Sequence, residues 1–255
     1  MRNSDPAAWT EVLRIVSLIR GLDSDDPSRR QQSALATADG SAPAVGLLAE
    51  ALLEEDDPNV SGALRWALRR SRGRASDDAL AVFGPALTSS VAQRRHRAVT
   101  AIADSGTEAA VALLVGTLTH ADPVVRGHAA LALGARRDTR AIPELIGMVV
   151  AGAHDVEAAE TLGALARDHD LDDRIAAAFA QELGRGTVSL DTRLRLTQAL
   201  AELRGPVTHD LLLTLADDPD RRVALTAMAV ARTAAPTAAR ARRTRRWGAS
   251  PDEPK

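Results

Sequence analysis

Three observations predict an all-α solenoid of repeated helix pairs: a composition rich in helix formers, a scarcity of bulky aromatics, and a period of about 32 residues. The 255-residue chain contains 51 alanines, no cysteine and no tyrosine, and its five aromatics are Trp9, Trp66, Phe83, Phe179 and Trp247. Alanine and leucine favour helix, whereas the core of a β-sandwich or barrel draws on large side chains that are in short supply here. With 45% apolar and 26% charged residues the chain reads as globular. The lack of cysteine excludes disulfides, thiolate metal sites and cysteine nucleophiles. Nothing in MRNSDPAAWTEVLRIV resembles the apolar stretch of a secretory signal. No run of ~18 apolar residues marks a membrane span. A cytoplasmic monomer is therefore expected.

The period is carried first by Asp-Pro pairs at residues 26–27, 57–58, 122–123 and 218–219, with successive gaps of 31, 65 and 96 residues. Between them, residues 95–114 (RHRAVTAIADSGTEAAVALL) align without gaps on residues 126–145 (RGHAALALGARRDTRAIPEL), and weaker copies follow at 155–167 and 193–203. Each unit reads as two amphipathic helices. In the fourth, residues 107–119 are apolar at Ala110, Val111, Leu114, Val115 and Leu118, which is helical spacing. Asp122 then supplies an N-cap and Pro123 a first-turn proline. The second helix, residues 123–135, is expected to bury Val125, Ala129, Ala132 and Leu133. Helices this short hide their apolar stripes only by stacking on neighbouring pairs.

The string DPVVRGHAALALGARRDTRAIPEL resembles the HEAT-like repeat, in the variant named after phycobilisome lyases. The resemblance is strong over 90–165 and looser elsewhere. It implies a right-handed α–α superhelix. The repeat register applied along the chain gives about seven HEAT-like helix pairs over residues 8–234. The helical pattern stops after Pro236, so residues 235–255 are expected to be a basic, flexible tail. The resemblance also implies that the second helices line the concave surface. It is nearly silent on function, because folds of this kind serve many tasks.

Arg30, Arg95, Arg126 and Arg222 occupy one column three residues after the proline position. Three of them have an Asp four residues earlier (Asp26, Asp122 and Asp218). Their periodicity marks a structural ladder, bridged within the turn or to the next repeat, and Ser61 interrupts it in the second repeat. Function is expected on outward columns that vary between repeats. These give Gln31, Gln32 and Leu35, then Trp66 and Arg70, then His96, Arg97 and Thr100, then His128 and Leu131, then Glu157 and Glu160, then Leu194, Arg195 and Gln198. Trp66 is the large aromatic expected to anchor a contact. On the first helix, Glu11, Arg14 and Ser17 suggest the polar outer face of a terminal cap.

Charge is uneven along the chain. Between Arg65 and Arg97 eight arginines oppose Asp77 and Asp78, while between His154 and Asp173 seven acids oppose Arg167. Opposite signs two repeats apart would orient a dipolar partner. The tail concentrates arginines, and Arg242, Arg243, Arg245, Arg246 and Trp247 are candidates for contact with a polyanion. No catalytic constellation or metal-ligand spacing appears among the six histidines: the pairs His154-Asp155, His169-Asp170 and His209-Asp210 fall at expected helix ends. The expected function is a non-catalytic scaffold or adaptor, without cofactor or metal, that binds a protein or peptide across the concave face of the solenoid. Trp66 and Leu131 would give apolar contact, with Arg70, His96, Arg97 and His128 at a basic end and Glu157 and Glu160 at an acidic one. The alternative is nucleic-acid binding through the Arg65–Arg97 region or the tail, including a DNA glycosylase-like activity.

Overall fold

A computed structural model describes residues 6–37, 42–70, 74–186 and 188–234. The tail residues Arg242, Arg243, Arg245, Arg246 and Trp247 lie outside the described residues. Among the described residues there are fourteen α-helices and no strand. They run as consecutive pairs: α1 (Pro6–Leu22) with α2 (Pro27–Ala36), α3 (Ala42–Glu54) with α4 (Pro58–Arg70), α5 (Arg74–Ala86) with α6 (Ala92–Asp104), and α7 (Glu108–Thr117) with α8 (Pro123–Ala135). The others are α9 (Ile142–Ala151) with α10 (Asp155–His169), α11 (Asp172–Leu183) with α12 (Leu190–Ala199), and α13 (Pro206–Ala216) with α14 (Arg221–Ala234). Short 3₁₀ turns at Thr139–Ala141 and Leu200–Glu202 precede α9 and follow α12. No described helix is long and apolar enough to cross a membrane.

The chain divides into two compact units, residues 1–144 and 145–255. In the first, α1 packs on α2 and α3, α2 on α4, α3 on α4 to α6, and α6 and α7 on α8. Its fully buried side chains include Leu48, Leu53, Leu64, Ile102, Leu114 and Leu133. In the second unit α10 packs on α11, α12 and the Leu200–Glu202 turn, α11 on α13, and α12 and α13 on α14, around Leu162, Leu165, Ile175, Phe179 and Leu196. Stacked antiparallel pairs are the solenoid that the repeat predicts. Of the expected inner alanines, Ala98, Ala101 and Ala129 are buried, whereas Ala132 is only half-buried and Ala130 takes its place in the core.

The Asp-Pro signature works as a cap. The carboxylates of Asp26, Asp57 and Asp122 accept hydrogen bonds from the backbone N–H two residues on, at 2.8–3.0 Å. The proline then occupies the position whose N–H needs no partner. In the last repeat the helix starts two residues later. There Asp220 caps Arg222 N at 2.9 Å, and Asp218 receives Asp220 N at 2.8 Å.

The arginine ladder resolves in favour of the next repeat. Arg30, Arg95 and Arg126 each direct Nη1 at the two backbone carbonyls six and five residues upstream, at 2.8–3.2 Å. Their remaining nitrogens reach a carboxylate further along the chain: Arg30 bonds Glu55 at 2.8 and 2.9 Å, Arg95 bonds Asp122 at 2.7 and 3.2 Å, and Arg126 bonds Glu144 at 3.1 Å. Arg193 extends the pattern in the second unit with two 2.8 Å bonds to Asp218. The Asp four residues earlier is not the partner of Arg30 or Arg126. A side chain at N4 that turns back over its own loop meets carbonyl oxygens there, and the cap already uses the aspartate.

Helix α1 departs from the polar cap expected from Glu11, Arg14 and Ser17. Leu18 is buried and Ile15 and Leu22 partly so, which turns Trp9 (59% exposed), Val12, Leu13 (66% exposed), Val16 and Ile19 outward. The helix is apolar on both faces, so no rotation of it hides every large side chain.

Candidate functional site

Helix α4 buries Val60, Ala63, Leu64 and Ala67, and this register places Gly62, Trp66 and Arg70 on the outer side. Trp66 is 40% exposed, and the guanidinium of Arg70, one turn on, lies 5.1 Å from its ring centroid. A cation over an indole face holds the ring in one orientation. A Cβ added at Gly62, one turn before the ring, would meet nothing within 4 Å, so the space there is open. Leu35 on α2, five residues after its ladder arginine as Trp66 is five after Ser61, is also exposed. Thr100 and Leu131 share that column but are half-buried, and the Thr100 hydroxyl donates to His96 O at 2.8 Å.

The basic residues chosen beside Trp66 are largely committed within the fold. Arg97 donates to Leu53 O at 2.9 Å and pairs with Asp56, which also accepts from Gln93 at 2.9 Å. Arg94 pairs with Glu50 at 2.6 Å and with Glu54. These bonds hold α6 against the end of α3 where Ser61 leaves the ladder open. The hydrogen bond from Arg97, then that from Gln93, lowers the Asp56 carboxyl below its ordinary value. His96 Nε2 lies 3.1 Å from Asp122 Oδ2, the same oxygen that receives Arg95. Burial raises the Asp122 carboxyl, but the bonds from Arg95, His96 and Val124 N outweigh it and hold the group well below the usual carboxylate range. His128 is half-buried on α8, its Nδ1 2.8 Å from Val124 O. The basic run therefore supplies the arginine side of a clamp, whose acidic side, residues 50–56, precedes it.

In the second unit the sequence-chosen residues do converge. Glu160 from α10 and Arg195 and Gln198 from α12 line one cleft of about 250 Å3, with Asp155, Val156, Ala159, Ala199 and Glu202. Three carboxylates surround an apolar floor. Arg195 shares this cleft and directs its hydrogen bonds to backbone: it donates to Val149 O at 3.0 Å and Val150 O at 2.7 Å, closing the last carbonyls of α9. It lies flat on Gly152, whose φ of +75° suits glycine and where a Cβ would stand 2.9 Å from the guanidinium carbon. Glu157 is exposed outside this cleft, with His154 Nδ1 at 3.8 Å.

A second cavity escaped sequence reasoning. About 280 Å3 in volume, it opens among α3, α4, α5 and α6, with a floor of Leu52, Leu68, Leu80 and Phe83 and with Arg65, Arg69 and Asp104 at its mouth. Arg65 Nε finds no hydrogen-bond acceptor among the described residues, its closest carboxylate contact being Asp104 at 3.9 Å. The available signal was Phe83, one of two phenylalanines in the chain and a member of the basic segment. Among the described residues no group of three or more His, Cys, Asp and Glu side chains is placed to hold a metal ion.

The architecture that holds these surfaces, pairs of short antiparallel helices stacked through periodic caps and arginines, defines an α-solenoid repeat protein. More particularly, residues 80–166 match the family model described as HEAT repeats. No curated protein matches the chain. Among solved structures it is similar to an engineered protein from a structural genomics consortium, at 20% identity and a TM-score of 0.31 over 86% of this chain and 95% of that one. It is similar to a designed armadillo repeat protein at 20% identity and a TM-score of 0.28, over 85% and 98% of the two chains. Human deoxyhypusine hydroxylase in complex with glycerol also matches, at 20% identity and a TM-score of 0.26 over 91% and 81%. Scores this low transfer no activity.

Proposed function

We propose that the chain is a non-catalytic scaffold that binds protein or peptide segments through its repeat region, residues 8–234. The observation that carries this reading is a pair of clefts of opposite character, one in each unit. The first sets Arg65 and Arg69, against a single Asp104, over an apolar floor. The second sets Asp155, Glu160 and Glu202, against a single Arg195, around another. Apolar floors with charged mouths give both affinity and selection of partner charge. An apolar side chain flanked by acids suits the first, and one flanked by Arg or Lys suits the second. Trp66, steadied by Arg70, adds an aromatic anchor of the kind that dominates interface energetics. The nucleic-acid alternative has less support, because Arg94, Arg95 and Arg97 already face carboxylates of the chain.

Selection of a random peptide display library on the immobilised full-length chain tests the proposal. Two enriched classes are expected, one acidic and apolar, the other basic and apolar. Arg69→Glu should weaken the first about tenfold and leave the second unchanged, whereas Glu160→Arg should do the reverse. No enrichment over a blank surface, or enriched peptides that bind both variants equally, would sink the scaffold reading. Trp66→Ala should cost about thirtyfold in any peptide that covers α4. Uniform affinity across all selected peptides removes Trp66 from the contact surface.

A further inference from the structure

The outward stripe of α1 stands apart from the clefts. Trp9, Val12, Leu13, Val16 and Ile19 recur at spacings of three and four residues, so they share one side of the helix, and all are exposed. In a repeat stack such a face is what a further helix pair would cover. Among the described residues α1 is packed on its other side by α2 and α3.

We infer that the stripe is covered by the α1 helix of a second copy of this chain, in an antiparallel two-fold dimer. The argument is self-complementarity. Trp9 and Arg20 lie eleven residues apart, three turns, and so on the same side. A two-fold axis passing between Leu13 and Val16 brings Leu13 of each copy onto Val16 of the other. The same axis sets the Trp9 indole of each beside the Arg20 guanidinium of the other, twice per dimer. The polar flank, where Arg14 pairs with Glu11 at 3.7 Å, stays outside the contact. The other exposed apolar stripe on a terminal helix, Leu225 and Met228 on α14, is bordered by Arg221, Arg222 and Arg232. A head-to-tail arrangement would set that basic border against Arg20, and like charges oppose it. One helix pair some 25 Å long buries less than the ~800 Å2 per partner of a standard interface, so the dimer is weak and reversible.

Sedimentation equilibrium of the full-length chain from about 1 to about 300 µM reads this directly. The expected result is a monomer–dimer equilibrium that rises from the 26.9 kDa of one chain with a dissociation constant in the tens of micromolar. Leu13→Asp and Val16→Asp should hold the protein monomeric throughout, with an unchanged melting temperature because both sites are exposed. Arg20→Glu should weaken the dimer about tenfold while Arg20→Lys retains most of it. A monomer at every concentration overturns the inference. So does open-ended polymerisation, or a dimer that survives Leu13→Asp.

Discussion

Replacing Asp122 with alanine is expected to lower the unfolding free energy by about 3 kcal/mol, from a lost helix N-cap near 1 kcal/mol and a half-buried Arg95 left without its anion. One carboxylate joins two helices: it caps α8 through Val124 N, and it holds Arg95 at 2.7 Å and meets His96 at 3.1 Å, both on α6. Urea unfolding measures the loss, and a fall of about 6–12 °C in melting temperature should accompany it. A change below 1 kcal/mol would mean that the ladder is ornament. The same group sets an acid dependence. Its folded value is depressed relative to about 3.9 in an unfolded chain. Its contribution is therefore complete above that unfolded value, and it disappears as the pH falls through the folded one. Asp122→Asn should flatten the stability profile between about pH 4 and pH 2 relative to wild type.

Gly163→Val is expected to cost a similar amount, about 3 kcal/mol, by overpacking. Gly163 sits on the buried side of α10, where a Cβ would stand 2.7 Å from Glu202 Cβ and 2.8 Å from Glu202 O. The second of these atoms is backbone and cannot rotate away, so α10 and the Leu200–Glu202 turn must separate. Because Glu160 and Glu202 border the same cleft, the substitution should also widen it and weaken the basic peptides selected on wild type. Retained stability together with retained peptide binding would show that the close approach is not needed.

Sequence reasoning reached the fold through features that are local and periodic. Asp-Pro pairs mark caps and first turns, and the apolar spacing of residues 107–135 marks two helices; both are written within a few residues of where they act. Arginine partners were less legible. Arg95 and Asp122 are 27 residues apart, Arg97 and Asp56 are 41 apart, and only stacking brings them together. Counting charge over residues 65–97 hid the neighbouring acids at 50–56, so a clamp read as a basic surface. In the second unit Glu160, Arg195 and Gln198 do meet, because a column read along successive second helices is real geometry. The cavity under Phe83 was out of reach, since its walls come from four helices, α3 to α6, that only packing brings together.

The gap at Ser61 bears on how far the repeats can be exchanged. A ladder arginine asks only that the following unit present an acid at the right loop, so units linked this way are interchangeable modules. The third pair carries no such acid for its predecessor. It is fastened instead by Gln93, Arg94 and Arg97 to side chains that only the second pair possesses. Those two pairs form a single inheritable cassette, to be moved, duplicated or deleted together, whereas the joint between the third and fourth pairs, tied by Arg95 and Asp122, is a place where the array can be lengthened or cut.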